Sequence, residues 1–153
     1  MSTSDGTVVG TTQVFGNAPQ NRAFNVVLLA EGFQSTEQNA FNNTADDLVA
    51  ALLATPPLTR LQRAINVFKV NVDSTDSGAD NPNTGTTVNT YFNATFGSAG
   101  LARLLTCNNT TTLSVAAAQV PEFTRPNVQV MRLHSASINF RSTGLIGSMC
   151  SLS

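Results

Sequence analysis

At 153 residues and 16.1 kDa, with 41% hydrophobic and 11% charged side chains, the chain has the size of a single domain. Eight Lys and Arg against nine Asp and Glu give a net charge of −1, which removes the electrostatic attraction on which nucleic-acid binding depends. The longest apolar run, which ends at Ala30, falls far short of the roughly 20 residues that cross a bilayer, so neither nucleic acid nor membrane is an expected partner.

The opening residues Met1 to Gly6 have no basic segment and no apolar core, so no signal peptide is expected there. The low charge, the abundance of Asn and Thr and the single lysine resemble the surfaces of secreted proteins, so the sequence assigns no compartment. Residues 1–23 are polar and rich in Gly and Thr. Val8-Val9 and Val14-Phe15 predict an edge strand or hairpin, and Gly16 to Asn21 a turn. Phe24 to Ala30 is nearly continuous apolar and β-branched sequence, the mark of a strand buried on both faces of a parallel sheet, and it stops at Glu31-Gly32.

Ser35, with Gln38 three residues on and Glu37 in the first turn, predicts a helix start. Phe41, Ala45, Leu48, Val49, Leu52 and Leu53 form one helical face, leaving Asn42, Asn43, Asp46 and Asp47 for solvent. Pro56-Pro57 must stop that helix. Ile65 to Val72 returns to strand composition, so strand, helix and strand make one βαβ unit. The loop Asp73 to Gly85 then lies at the carboxyl end of a strand, beside Glu31-Gly32, where open α/β sheets bind ligands. Further on, Ser98 to Thr106 predicts a second helix near Arg103, and Leu113 to Val120 a third that ends at Pro121. After Glu122 no acidic residue occurs, and three arginines, the single histidine, two methionines and Cys150 crowd into residues 124–153. Val128 and Val130 could alternate in a weak strand, but disorder or poor packing is expected of this tail.

Few chemical motifs emerge. Asp73, Asp76 and Asp80 do not follow the register of a calcium loop and read as a solvated turn. His134, Cys107 and Cys150 lack the paired spacing of a zinc site, and the two cysteines read as free thiols. One histidine and no G-x-S-x-G elbow leave no serine-hydrolase triad, and Gly97 to Gly100 reads as a helix-entry turn rather than a phosphate loop. Glu31 could act as an acid or base given a neighbour to set its pKa; otherwise it is a strand-end carboxylate in water.

Asn25-Val-Val-Leu-Leu-Ala-Glu-Gly-Phe33, the helix after it, Ile65-Asn-Val-Phe-Lys-Val-Asn-Val-Asp73 and Ser74-Thr-Asp-Ser-Gly78-Ala-Asp80 occur in an order that resembles the opening of the catalytic domain of the IgA-peptidase family of zinc metallopeptidases. Asn17 to Arg22 and Thr90-Tyr-Phe through Arg103-Leu104-Leu105 extend the likeness to roughly residues 10–123. It implies a zincin-like α/β sandwich from a mostly secreted endopeptidase, in which a His-Glu-x-x-His helix supplies two zinc ligands and the Glu that activates water. That motif is absent from this sequence.

The expectation is therefore a partial α/β domain over residues 1–123, with a mostly parallel sheet, followed by a tail over 124–153 that arises from a frame change or an early end of the coding sequence. The chain would be a truncated, catalytically incompetent relative of a zinc peptidase. Zinc and a peptide or protein substrate belong to the full-length parent, and this chain would self-associate through an uncovered sheet edge. Glu31, Asp73, Ser77 and Asp80 are the candidate substrate-rim residues, with no catalytic residue and no metal ligand assigned. The alternative is a small intact α/β module that binds a ligand or partner without catalysis.

Overall fold

Strand β2 (Phe24–Glu31) is buried at every position after Phe24, and such a strand must lie inside a sheet covered on both faces. The computed structural model, which describes residues 5–120 and 128–135, places it there. Strand β3 (Ile65–Ser74) runs parallel along one edge of β2, from Phe24↔Ile65 to Leu29↔Val70. Strand β6 (Val128–His134) runs parallel along the other, from Asn25↔Val128 to Glu31↔His134. Strand β1 (Gly6–Phe15) adds antiparallel to β3 and completes the order β1-β3-β2-β6. The α/β class and the mostly parallel sheet are as the sequence predicts.

Between β2 and β3 the chain forms α1 (Gln38–Ala54) and the one-turn α2 (Leu58–Leu61). The capping pair lies one residue upstream of the predicted Ser35 and Gln38: the Glu37 carboxylate accepts the backbone N–H of Gln34 at 2.9 Å. Phe41, Ala45 and Val49 face inward, with the Phe41 and Phe33 ring centres 5.5 Å apart. Asp46 is exposed as predicted, yet it also supplies a carboxylate 3.2 Å from Nζ of the buried Lys69, giving that cation its counter-charge. The helix stops at Ala54, before Pro56-Pro57.

Two expectations require correction. Ser98 to Thr106 is no helix: the backbone is left-handed at Gly97, Ala99 and Gly100 (φ 85°, 53° and 75°), which no α-helix tolerates. These residues join the short antiparallel strands β4 (Thr95–Phe96) and β5 (Leu105–Thr106). The second correction concerns the tail. Residues 128–134 were expected to pack poorly, but β6 pairs with β2 along its whole length, burying Val130, Arg132, Leu133 and His134. The rest of the expected tail after Ser135, including Cys150, lies outside the described residues. Helix α3 (Asn109–Gln119) covers the predicted third helix but starts four residues before the expected Leu113, capped by Asn108, whose side chain accepts the Thr111 N–H at 3.0 Å.

At the amino-terminal end of the parallel strands, two buried asparagines fasten the incoming loop. Asn66 donates Nδ2 to Asn25 Oδ1 (3.0 Å) and to the Ala18 carbonyl (2.9 Å), and its Oδ1 accepts the Ala18 N–H (3.0 Å). Asn25 in turn donates to the carbonyls of Gln20 and Ala23. Asn66→Ala strands these groups away from water and should lower the unfolding free energy by about 2 kcal/mol. Urea unfolding checks this; an unchanged midpoint would mean that the loop is held by something else.

Candidate functional site

The three parallel strands all end at one rim, and the chain crosses there repeatedly at backbone distance. The Gly32 N–H donates to Ser74 Oγ at 3.2 Å, the Ser74 N–H to the Phe33 carbonyl at 2.8 Å and the Gly78 N–H to the Gly32 carbonyl at 3.1 Å. Gly32 is required: its φ is +68°, and a Cβ there would lie 2.3 Å from the Gly78 carbonyl oxygen and 3.1 Å from His134 Nε2.

Glu31 sits at the end of β2 with no exposed surface. Its Oε1 accepts from Thr90 Oγ1 at 2.7 Å and from the Ala94 N–H at 3.0 Å, and its Oε2 accepts from the Phe92 N–H at 3.0 Å. Burial raises its pKa above the ordinary carboxylate value, opposed by those three hydrogen bonds and by the positive charge of Arg132. The expectation of a strand-end carboxylate in water is thereby overturned. So is that of a free acid or base, because both oxygens are committed to residues 90–94. The chemistry of this group is attachment: it ties an otherwise irregular segment to the sheet.

Beside it in the β2–β6 register stands His134, 2% exposed. Its Nε2 lies 2.9 Å from the Gly78 carbonyl, which can only accept, so Nε2 carries the proton. Burial lowers its pKa to about 4, with that hydrogen bond opposing. The Phe96 ring meets the imidazole edge-on at 6.2 Å between centres. Arg132, 1% exposed, donates Nη1 to Thr112 Oγ1 at 2.8 Å and Nη2 to Asn109 Oδ1 at 3.1 Å, which docks α3 onto β6.

The four candidates from the sequence lie at this one end of the sheet but do not converge. Glu31 turns to Thr90. Ser77 donates its hydroxyl to Glu37 Oε1 at 3.0 Å. Asp80 Oδ1 accepts the Val88 N–H at 2.7 Å, closing its own loop. Asp73 Oδ1 is buried with no hydrogen-bond partner among the described residues. Asp76 Oδ2 holds the N–H and side-chain amide of Asn89, so part of the acidic loop is organised by its carboxylates.

Sequence reasoning missed His134, Arg132 and Thr90 as parts of this rim. Val128 and Val130 carried a weak strand signal, which Arg132 and His134 further along masked. These residues do not fit the zinc that the family resemblance implies. Among the described residues no three His, Cys, Asp or Glu side chains come together, and the Glu31 oxygens and His134 Nε2 are already committed to protein partners.

The family model described as IgA Peptidase M64 matches residues 13–134. The likeness therefore does not break off at Phe123, as the sequence suggested, but runs through β6. No curated protein matches the chain.

Proposed function

Because the chain belongs to the IgA peptidase M64 family, we propose that it is the scaffold portion of a zinc endopeptidase domain and does not hydrolyse peptides by itself. One observation carries this reading. The sequence holds a single histidine, and its Nε2 is engaged with the Gly78 carbonyl, whereas the His-Glu-x-x-His chemistry of such peptidases needs two.

Zinc and its chemistry belong to ligands that a full-length parent would supply. What this chain contributes is the rim at the carboxyl end of the parallel strands. Glu31 fixes residues 90–94, Gly32 and Gly78 lock two crossings together, and Arg132 holds α3 against the last strand. A peptide or protein substrate would lie across that rim, with Asp73, Ser77 and Asp80 as candidate contacts. The family match to residue 134 carries the peptidase-like sequence past Phe123 and through β6. Secretion of the parent and self-association of this chain through a sheet edge belong to the same proposal.

The full chain, incubated with a fluorogenic peptide library and one equivalent of zinc, should show no turnover that a chelator removes and no saturable zinc uptake by calorimetry. Stoichiometric zinc binding together with chelator-sensitive turnover would overturn the proposal. Reading the coding locus downstream of His134 in all three frames should reveal a His-Glu-x-x-His segment. If no frame contains one, and the chain unfolds cooperatively as a monomer, the small α/β binding module is the better account.

A further inference from the structure

The opposite end of the sheet has a different character. There the turn after β1 and the turn before β3 enclose a groove of about 460 Å³ lined by Phe15, Gly16, Asn17, Gln62 and Arg63. Its wall is firmly set. Gly16 has φ +82°, and a Cβ on it would lie 2.0 Å from the Ile65 carbonyl oxygen, while Gln13 Nε2 holds the Gly16 carbonyl at 2.8 Å.

Charge is distributed unevenly between the two ends. Arg63 lines the groove, and Arg22 stands two residues before Phe24, whose strand pairs with Ile65, so both precede strands that start at this end of the sheet. Arg60 lies on α2 just before them. None of the three has an ion-pair partner among the described residues, and no acidic residue occurs in 13–30 or 48–72. Glu31, Glu37, Asp73, Asp76 and Asp80 all belong to the carboxyl rim or to the loops that leave it. Among the described residues, an anionic ligand approaching the amino end therefore meets guanidinium groups without ion-pair partners, and no carboxylate is supplied by residues 13–30 or 48–72.

We propose that this groove binds an acidic peptide segment, with a carboxylate against Arg63, an apolar side chain against Phe15, and Arg22 and Arg60 at the same end of the sheet adding to the attractive field. The amides of Asn17 and Gln62 beside an aromatic ring suit an extended polypeptide better than a compact inorganic anion, and the guanidinium fork suits carboxylate. The inference is independent of the peptidase reading, since it uses the end of the sheet opposite the rim and requires no catalysis. Binding is weak and salt-sensitive, because exposed guanidinium groups act through a screened field.

The test is a titration of the ¹⁵N-labelled full chain at low salt with an acetylated decapeptide rich in Glu and containing one Phe, against the same peptide with Gln in place of Glu. The acidic peptide should give saturable shifts at Phe15–Asn17 and Gln62–Arg63, and the Gln peptide none. The Arg22→Glu/Arg63→Glu double variant, whose fold the same spectra verify, should weaken binding about tenfold. Arg103→Glu, an exposed change on the β4–β5 loop, should leave it unaltered. Equal binding of the Gln peptide, shifts confined to the carboxyl rim, or equal loss in the Arg103 variant would overturn the proposal. Displacement by inorganic phosphate at an ionic strength where chloride has no effect would also overturn it, in favour of a small-anion pocket.

Discussion

Glu31→Ala lowers the unfolding free energy by about 4 kcal/mol, the largest loss expected from any single change at the rim. The alanine strands the Thr90 hydroxyl and the Phe92 and Ala94 amides in space that water does not reach, and it deprives the buried Arg132 of the opposite charge that acts on Glu31. Each stranded donor costs roughly 1–3 kcal/mol before relaxation, which recovers part of the sum. Glu31→Gln keeps the volume but replaces one acceptor oxygen with an NH₂ group that faces donors, so a loss of about 2 kcal/mol is expected. Because the folded pKa of Glu31 is raised, its titration-linked stabilisation is complete below pH 4.5 and declines as pH climbs through the folded value. The stability gap between wild type and Glu31→Gln should therefore narrow as pH rises above 4.5. Urea unfolding at a series of pH values measures both effects, and an alanine variant within 1 kcal/mol of wild type would show that residues 90–94 are held without the carboxylate.

His134 produces the second large effect, with the opposite sign. Its imidazole is neutral in the fold, with a pKa lowered from 6.5 to about 4, so between those values the unfolded chain takes up a proton that the native chain does not. Stability linked to this group is complete above pH 6.5, falls as pH drops, and is fully lost below pH 4. The shift corresponds to about 3 kcal/mol. His134→Gln can still donate to the Gly78 carbonyl but does not titrate, so its stability should not follow this decline. The difference between the two proteins isolates the histidine from the opposing slope of Glu31. Parallel curves for the two proteins between pH 6.5 and 4 would refute a neutral buried imidazole.

Local sequence revealed those parts of the molecule whose signal is itself local. The apolar run of β2, the helical face of α1 and the stop at Pro56-Pro57 all express constraints satisfied within a few residues, and each element formed where it was predicted. Failures came where tertiary partners override local pattern. Three left-handed residues turned the apolar Leu101, Leu104 and Leu105 into a hairpin instead of a helix. β6 was obscured because Arg132 and His134 occupy core positions, which is tolerable only since Thr112, Asn109 and Gly78 receive their polar atoms. Glu31 was legible as a rim residue but not as a buried tether, because its three donors lie about sixty residues downstream and two of them are backbone amides, which carry no side-chain signature.

The register of β6 also governs how the molecule is made. β2 and β3 meet across one helical crossover, whereas β6 must find β2 across about a hundred residues of intervening chain. Closing so long a loop costs entropy before any contact compensates, so this pairing belongs to the slow, late phase of folding. On the ribosome, β6 is the last of the described elements to emerge. Until it docks, the far edge of β2 presents an apolar row of unpaired amides and carbonyls to other nascent chains. Production yield should therefore respond to growth temperature and chaperone supply more strongly than equilibrium stability alone would dictate.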